Sequence, residues 1–433
     1  MTRNGFLDYA VREHTLPNGL RVVLNPDRTT PVVAVNLWYD VGSRDEREHR
    51  TGLAHLFEHL MFQGSPQVRS GEHLSSIQNA GGTCNATTWF DRTNYFETVP
   101  RGALDLALWL ESDRMGGLLK ALTQENLDTQ REVVKEEKRQ RYDNTPYGDL
   151  FVHLLSLNYP TSHPYAHPVI GSMTDLESAT LEDAHRFFEQ WYGPNNAVLT
   201  LAGDIDPDDG LARVSRYFEH IGSRTPPPSA SPAPLPSHVD VPRTQVSNPV
   251  PADLLTLSWR IPAGHSPTVD ALDIALDVLG GSEVSRLHQR LVRTDALCTS
   301  AGSSALGLNR GNSLALAQAQ ALTDVPLDHI ERTINEEVAR FCDDGPTPQE
   351  LDQVRIQFER SWLSQCARVE ARADLLSAAT TIDDDPHRIN SRVEEFSAIT
   401  ATEVREAAQR YLAPAQRAAL EYHRSTPEPS GGS

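Results

Sequence analysis

Cysteine is scarce in this chain. Cys84, Cys298, Cys342 and Cys366 are scattered over 433 residues and form no C-x-x-C pair. That spacing excludes a disulfide framework and a zinc site built on paired thiolates. Long apolar runs are also missing: no stretch approaches the roughly 20 apolar residues that a membrane-spanning helix needs. The start, Met1-Thr2-Arg3-Asn4-Gly5-Phe6, leads directly to Asp8, Arg12 and Glu13. It lacks the apolar segment and cleavage signal of a secretory leader. A soluble cytoplasmic protein with no membrane attachment is the expectation. Basic residues are the minority, 39 against 59 acidic, for a net charge of −20. Such a surface disfavours non-specific binding to nucleic acid or anionic lipid.

What is present is ordinary for a globular protein, with 39% hydrophobic and 7% aromatic residues. At 433 residues the chain is long for one core, so two domains are expected.

One stretch organises the reading: His55-Leu56-Phe57-Glu58-His59. Two histidines four positions apart share a helix face, and Glu58 lies near that face. Neutral imidazoles are zinc ligands, and an adjacent carboxylate can take a proton from a zinc-bound water. The order H-x-x-E-H is the one called inverzincin. Leu53, Leu56, Phe57 and Leu60 make the helix apolar, Thr51 is placed to cap it, and Gly64 follows its end. Burying two His and a Glu unpaired costs several kcal/mol or more, roughly, so they need a partner such as a metal. The bland alternative is two core histidines bonded to backbone.

A catalytic zinc usually takes three protein ligands and leaves a place for water. The best source of a third is the helix expected at 123–142, where Glu136 and Glu137 compete. Positions 127, 130, 134, 137 and 141 form one stripe holding Leu127, Val134 and Glu137, which reads as the buried side. Glu136 shares a face with Thr129, Glu132 and Gln140. Glu137 is the candidate, against the alternative of a charged surface helix.

Along the chain, residues 14–24 read as strand, turn and strand about Asn18-Gly19. Strands are expected at 31–41, 83–88, 93–99 and 197–202, and helices at 70–80, 102–119, 146–157 and 180–192. Nine prolines then crowd residues 223–251, which reads as an interdomain linker. Beyond it the order strand, loop, helix and Gly-Gly recurs over Leu254–Ile261 and Val269–Gly281. Asp273 and Asp277 stand there where ligands would be. The resulting division is 1–222, linker 223–251, a related domain 252–423 without the metal motif, and a disordered tail 424–433.

These residues resemble a known family. His55 to Ser65 is similar to the zinc-binding segment of M16 peptidases, the family of pitrilysin and the mitochondrial processing peptidase. Gly81-Gly82-Thr-Cys-Asn85-Ala86-Thr-Thr88 followed by Asp91-Arg-Thr93-Asn-Tyr95 matches the family signature G-G-x-x-N-A-x-T-x-x-D-x-T-x-Y. Asn18 to Val23 resembles its opening strands, and Arg131 to Glu137 the segment donating its distal glutamate. The match covers most of 14–205 and, more weakly, the second half.

The resemblance implies an α+β fold of two homologous α/β halves, each a mainly antiparallel sheet with helices packed on it. It implies Zn2+ held by His55, His59 and Glu137, with Glu58 as general base. It places Asn85 and Ala86 on an edge strand that pairs with an extended peptide substrate. Family members also carry an Arg and a Tyr in the second half. Arg293 falls in the Arg region, but Thr299 stands where the Tyr belongs. The implied protein is therefore a zinc endopeptidase, the metal-bearing subunit of a heterodimer whose homologous partner supplies the Arg/Tyr pair. A homodimer is the other arrangement. A non-catalytic assembly subunit or a peptide-binding module on the same fold is the rival reading.

Overall fold

Gly19, at φ +88°, takes the left-handed backbone that turns the chain after Asn18. The Asn18 amide fastens this turn by donating to the Phe218 and Ile221 carbonyls. The turn joins β1 (Arg12–Thr15) to β2 (Arg21–Pro26), an antiparallel pair. The structure is a computed structural model that describes residues 7–225, 227 and 232–425.

In chain order there follow β3 (Val32–Tyr39), α1 (Leu53–Leu60), α2 (Glu72–Asn79), β4 (Thr83–Thr88), β5 (Thr93–Pro100) and α3 (Leu104–Gly117). Then come α4 (Gln124–Lys138), α5 (Leu150–Asn158), α6 (Met173–Ser178), α7 (Leu181–Trp191), β6 (Ala197–Gly203) and α8 (Pro207–Phe218). The later part holds β7 (Arg243–Asn248), β8 (Leu254–Ile261), α9 (Pro267–Gly280), the single turn α10 (Arg286–His288), β9 (Cys298–Leu306) and β10 (Ser313–Ala321). It ends with α11 (Leu327–Asp344), α12 (Pro348–Ala367), α13 (Val369–Ala378), α14 (Arg388–Ala398), α15 (Ala401–Tyr411) and β11 (Ala418–Arg424).

The strands form two sheets, ordered β1-β2-β6-β3-β5-β4 and β7-β11-β8-β10-β9. Without β1 the two orders superimpose strand for strand. In each, one parallel pair (β2 with β6, β7 with β11) is followed by antiparallel pairings only. The repeat expected from sequence is therefore present in the topology, and the fold is α+β with two related halves.

Contacts divide the chain into two units. One comprises 1–138, 167–230 and 360–393, the other 139–166, 231–359 and 394–433. Relative to the linear division 1–222 and 252–423, segments 139–166 and 360–393 are exchanged. Polar anchoring explains both exchanges. In the first unit Arg372 is buried and donates to Asn25 Oδ1 at 2.7 Å and Asp27 Oδ2 at 2.6 Å, fixing α13 on the first sheet. In the second, the Asn158 amide donates to Ser258 Oγ at 2.9 Å and Tyr422 to Asp149 Oδ1 at 2.6 Å, fixing α5 on the second sheet.

Part of the expected linker is a strand. Prolines 242 and 249 bracket Arg243–Asn248, whose side chains alternate between exposed and half-buried as β7. Residues 226 and 228–231 of that stretch lie outside the described residues, as do 426–433 of the expected tail. Arg424, placed in that tail, closes β11. No described helix is long and apolar enough to cross a membrane.

Candidate metal centre

The helix α1 buries Leu53, Ala54, Leu56, Phe57 and Leu60 and turns His55, Glu58 and His59 to the other side. Phe57 fixes the orientation, its ring centroid 4.6 Å from Tyr192 and 5.6 Å from Phe187. Thr51 does not cap this helix. The N-cap is Gly52, at φ +88°, and a Cβ there would stand 2.6 Å from the Ile170 carbonyl oxygen. The terminal donors are met from elsewhere: the buried Glu46 carboxylate accepts Gly52 N–H at 2.9 Å and Ala54 N–H at 2.7 Å. The Thr51 hydroxyl donates instead to Asp175 Oδ2 at 2.5 Å. A carboxyl group accepting at a helix start serves as well as a hydroxyl, even with burial pushing Glu46 well above the usual carboxylate range, and Thr51 stands one residue before the N-cap with its hydroxyl taken by Asp175. Gly64 is four residues beyond α1, in a loop where it adopts φ +109°.

The second helix, α4, starts where Thr123 Oγ1 accepts Asn126 N–H at 3.2 Å. Leu127 and Val134 are buried, Glu137 is half-buried and Glu136 is exposed, the face expected from the spacing. Glu137 Oε2 lies 3.7 Å from His55 Nε2 and 3.6 Å from His59 Nε2. Their donor atoms all fall within 4.8 Å of one another. Zinc bonds of about 2.0–2.1 Å at a tetrahedral angle would set donors about 3.3 Å apart. The set of two imidazoles and one carboxylate is also a known catalytic combination. The residues present fit the ion.

The strand β4 forms the outer edge of its sheet beside α1. Asn85 is exposed, Ala86 is buried, and they pair in register with Phe96 and Tyr95. Asn85 Oδ1 accepts the Ala86 N–H at 2.9 Å. Glu58 Oε2 accepts the Thr88 hydroxyl at 2.6 Å. The rest of the signature is scaffolding. Asp91 is buried 3.2 Å from Arg44 Nε, Thr93 donates to the Val41 carbonyl at 2.9 Å, and the Tyr95 hydroxyl lies 3.2 Å from that of Tyr192.

One other group among the described residues could hold a metal: His73, Cys84 and Glu97. Sequence reasoning passed over it because the three come from different elements. The three lie in a buried polar network with Glu111 and Arg114. His73 Nε2 lies 3.1 Å from Glu97 Oε1, and Arg114 pairs with Glu111 through Nε at 2.9 Å while standing 3.9 Å from Glu97. Burial pushes His73 down to about 3 and Glu111 up to about 8, Arg114 opposing the latter. Burial and the Glu97 charge push the Cys84 thiol well up.

In the second unit Arg293 is exposed and 3.6 Å from Glu283 Oε2. The Thr299 hydroxyl donates to Gln320 Oε1 at 3.1 Å. Asp273 and Asp277 lie on α9, and no described residue of this unit joins a group able to hold a metal.

The chain belongs to the M16 peptidase family. The model described as insulinase (peptidase family M16) matches residues 21–170, and that described as peptidase M16 inactive domain matches 178–358. Zinc protease PqqE of Helicobacter pylori is 29% identical over 407 residues, 93% of this chain and 90% of its own. An uncharacterized zinc protease of Mycobacterium leprae is 30% identical over 381 residues, 82% of this chain and 81% of its own. The crystal structure of a protease from Helicobacter pylori superposes with a TM-score of 0.88 at 27% identity, covering 96% of this chain and 99% of that one.

Proposed function

We propose that the protein is a zinc-dependent endopeptidase acting on extended peptides or small unfolded proteins. The observation that carries this is the convergence of His55, His59 and Glu137, with Glu58 on the same helix. These three would hold the ion. When bound, zinc supplies Lewis acidity and lowers the pKa of its water from 15.7 toward about 7. Glu58 takes a proton from the attacking water and returns it to the leaving amine. The edge strand at Asn85 and Ala86 offers backbone pairing to a peptide, which gives affinity with little sequence demand. Asn85 must then release the Ala86 N–H that it now covers.

The second half would not complete the site from this chain. Thr299 occupies the place of the family's tyrosine, and Arg293 points into solvent beside Glu283. A homologous partner chain carrying the Arg/Tyr pair fits that pattern, and copurification of such a chain would support it.

The deciding experiment is cleavage of a quenched, unstructured peptide library by purified protein with its copurifying chains. Loss of cleavage with chelator and its return with zinc is the expected result. Peptide binding without any cleavage in the zinc-loaded protein would favour a capture module instead.

A further inference from the structure

The strand that would receive substrate also touches the proposed base. Ala86 and Thr88 are two apart on β4, so their side chains share a face, roughly 6.6 Å apart along the strand. From that face the Thr88 hydroxyl donates to Glu58 Oε2 at 2.6 Å, the length of a charge-assisted bond.

Thr88 is itself held in place. It pairs with Thr93, whose hydroxyl is fixed on the Val41 carbonyl. The turn that follows is closed by Trp89 N–H to the Arg92 carbonyl at 2.8 Å. Arg92 reaches back to the Thr87 carbonyl at 2.9 Å and to Asn94 Oδ1 at 3.0 Å. The end of β4 therefore cannot shift without breaking this turn.

We infer that Thr88 is a positioning residue for Glu58. Its hydroxyl holds Oε2 and so fixes the plane in which the carboxylate meets the water. A glutamate has three rotatable side-chain bonds, and one fixed donor removes most of that freedom. Because β4 carries both the peptide-pairing positions and this donor, one six-residue strand sets the base relative to the substrate. The inference rests on Glu58 being the base.

Thr88→Val keeps the shape and removes the donor. The expected result is kcat lowered about 10- to 100-fold, because a base displaced by about 1 Å loses that order of rate. KM should stay within about twofold, with zinc content and thermal midpoint as in the unsubstituted protein. Thr88→Ser, which keeps the hydroxyl, should retain kcat within about threefold. Crystals of zinc-loaded Thr88→Val should show the Glu58 carboxylate moved or spread over rotamers. Should Thr88→Val fail to fold, Thr88→Ala is measured with the same readouts.

Unchanged kcat in the valine protein, equal damage by serine, or an unmoved Glu58 carboxylate would each overturn the inference. Glu58→Gln run alongside separates the two readings. Full turnover in it removes the base and this inference together. An inactive Glu58→Gln beside a fully active Thr88→Val removes only the role of Thr88.

Discussion

Glu46 holds the start of the metal helix: its carboxylate accepts the backbone N–H of Gly52 at 2.9 Å, and Ala54 at 2.7 Å, from a fully buried position. The two imidazoles thus depend on a side chain nine residues before the first of them. Glu46→Ala should cost about 1–3 kcal/mol of stability, the worth of a lost cap with buried donors left open. Equilibrium unfolding in denaturant reads this directly. Because α1 carries His55 and His59, zinc affinity should fall as well. A variant as stable as the parent would show the helix start to be solvated.

The choice between adjacent glutamates is testable with metal alone. Glu137 stands within 3.7 Å of both imidazoles, and Glu136 faces solvent. Glu137→Gln should weaken zinc binding by more than about 100-fold, beyond what loss of an outer partner costs. Glu136→Gln should leave it unchanged, and Cys84→Ser should leave the stoichiometry at one zinc per chain. Competition against a zinc-responsive dye measures all three. Equal losses for both glutamine variants would undo the assignment.

Glu58→Gln removes the proposed base and leaves the three proposed ligands intact. Turnover of the peptide should drop by about 10²- to 10⁴-fold, the range for a general base, with zinc content unchanged by elemental analysis. Retained turnover would exclude Glu58 from the chemistry.

The buried network of His73, Cys84, Glu97, Glu111 and Arg114 makes stability depend on pH in two directions. Glu111 is raised from 4.5 to about 8, so its contribution is complete below about pH 4.5 and is lost as pH rises through 8. His73 is lowered from 6.5 to about 3, so its contribution is complete above 6.5 and is lost as pH falls toward 3. Glu111→Gln should therefore lose less stability than the parent between pH 5 and 9. Parallel stability curves for the two proteins across that range would contradict the shift.

Much of this was legible in the chain. The 3.6-residue period put His55 and His59 on one face and Glu137 rather than Glu136 on the half-buried one, and strand-favouring residues about the Asp91-Arg92 turn marked β4 and β5 where they are observed. These are local properties, fixed by backbone geometry within a few residues. Thr51 as a cap was a sound local inference that failed because Glu46, beyond the reach of capping rules, took its place. The strand β7 was hidden because the prolines around it dominated the composition.

By itself, then, the sequence determined the candidate ligands, their helix faces and the repeat of strand, loop and helix, while the edge strand at Asn85 and Ala86 came from the family resemblance. The tertiary structure alone decided that α13, far along the chain, belongs on the first sheet through Arg372, and that α5 belongs on the second through Asn158. It alone showed Thr88 on Glu58, and brought His73, Cys84 and Glu97 from three elements into one buried polar network. Those outcomes turn on distances between side chains from separate elements, which periodicity does not encode.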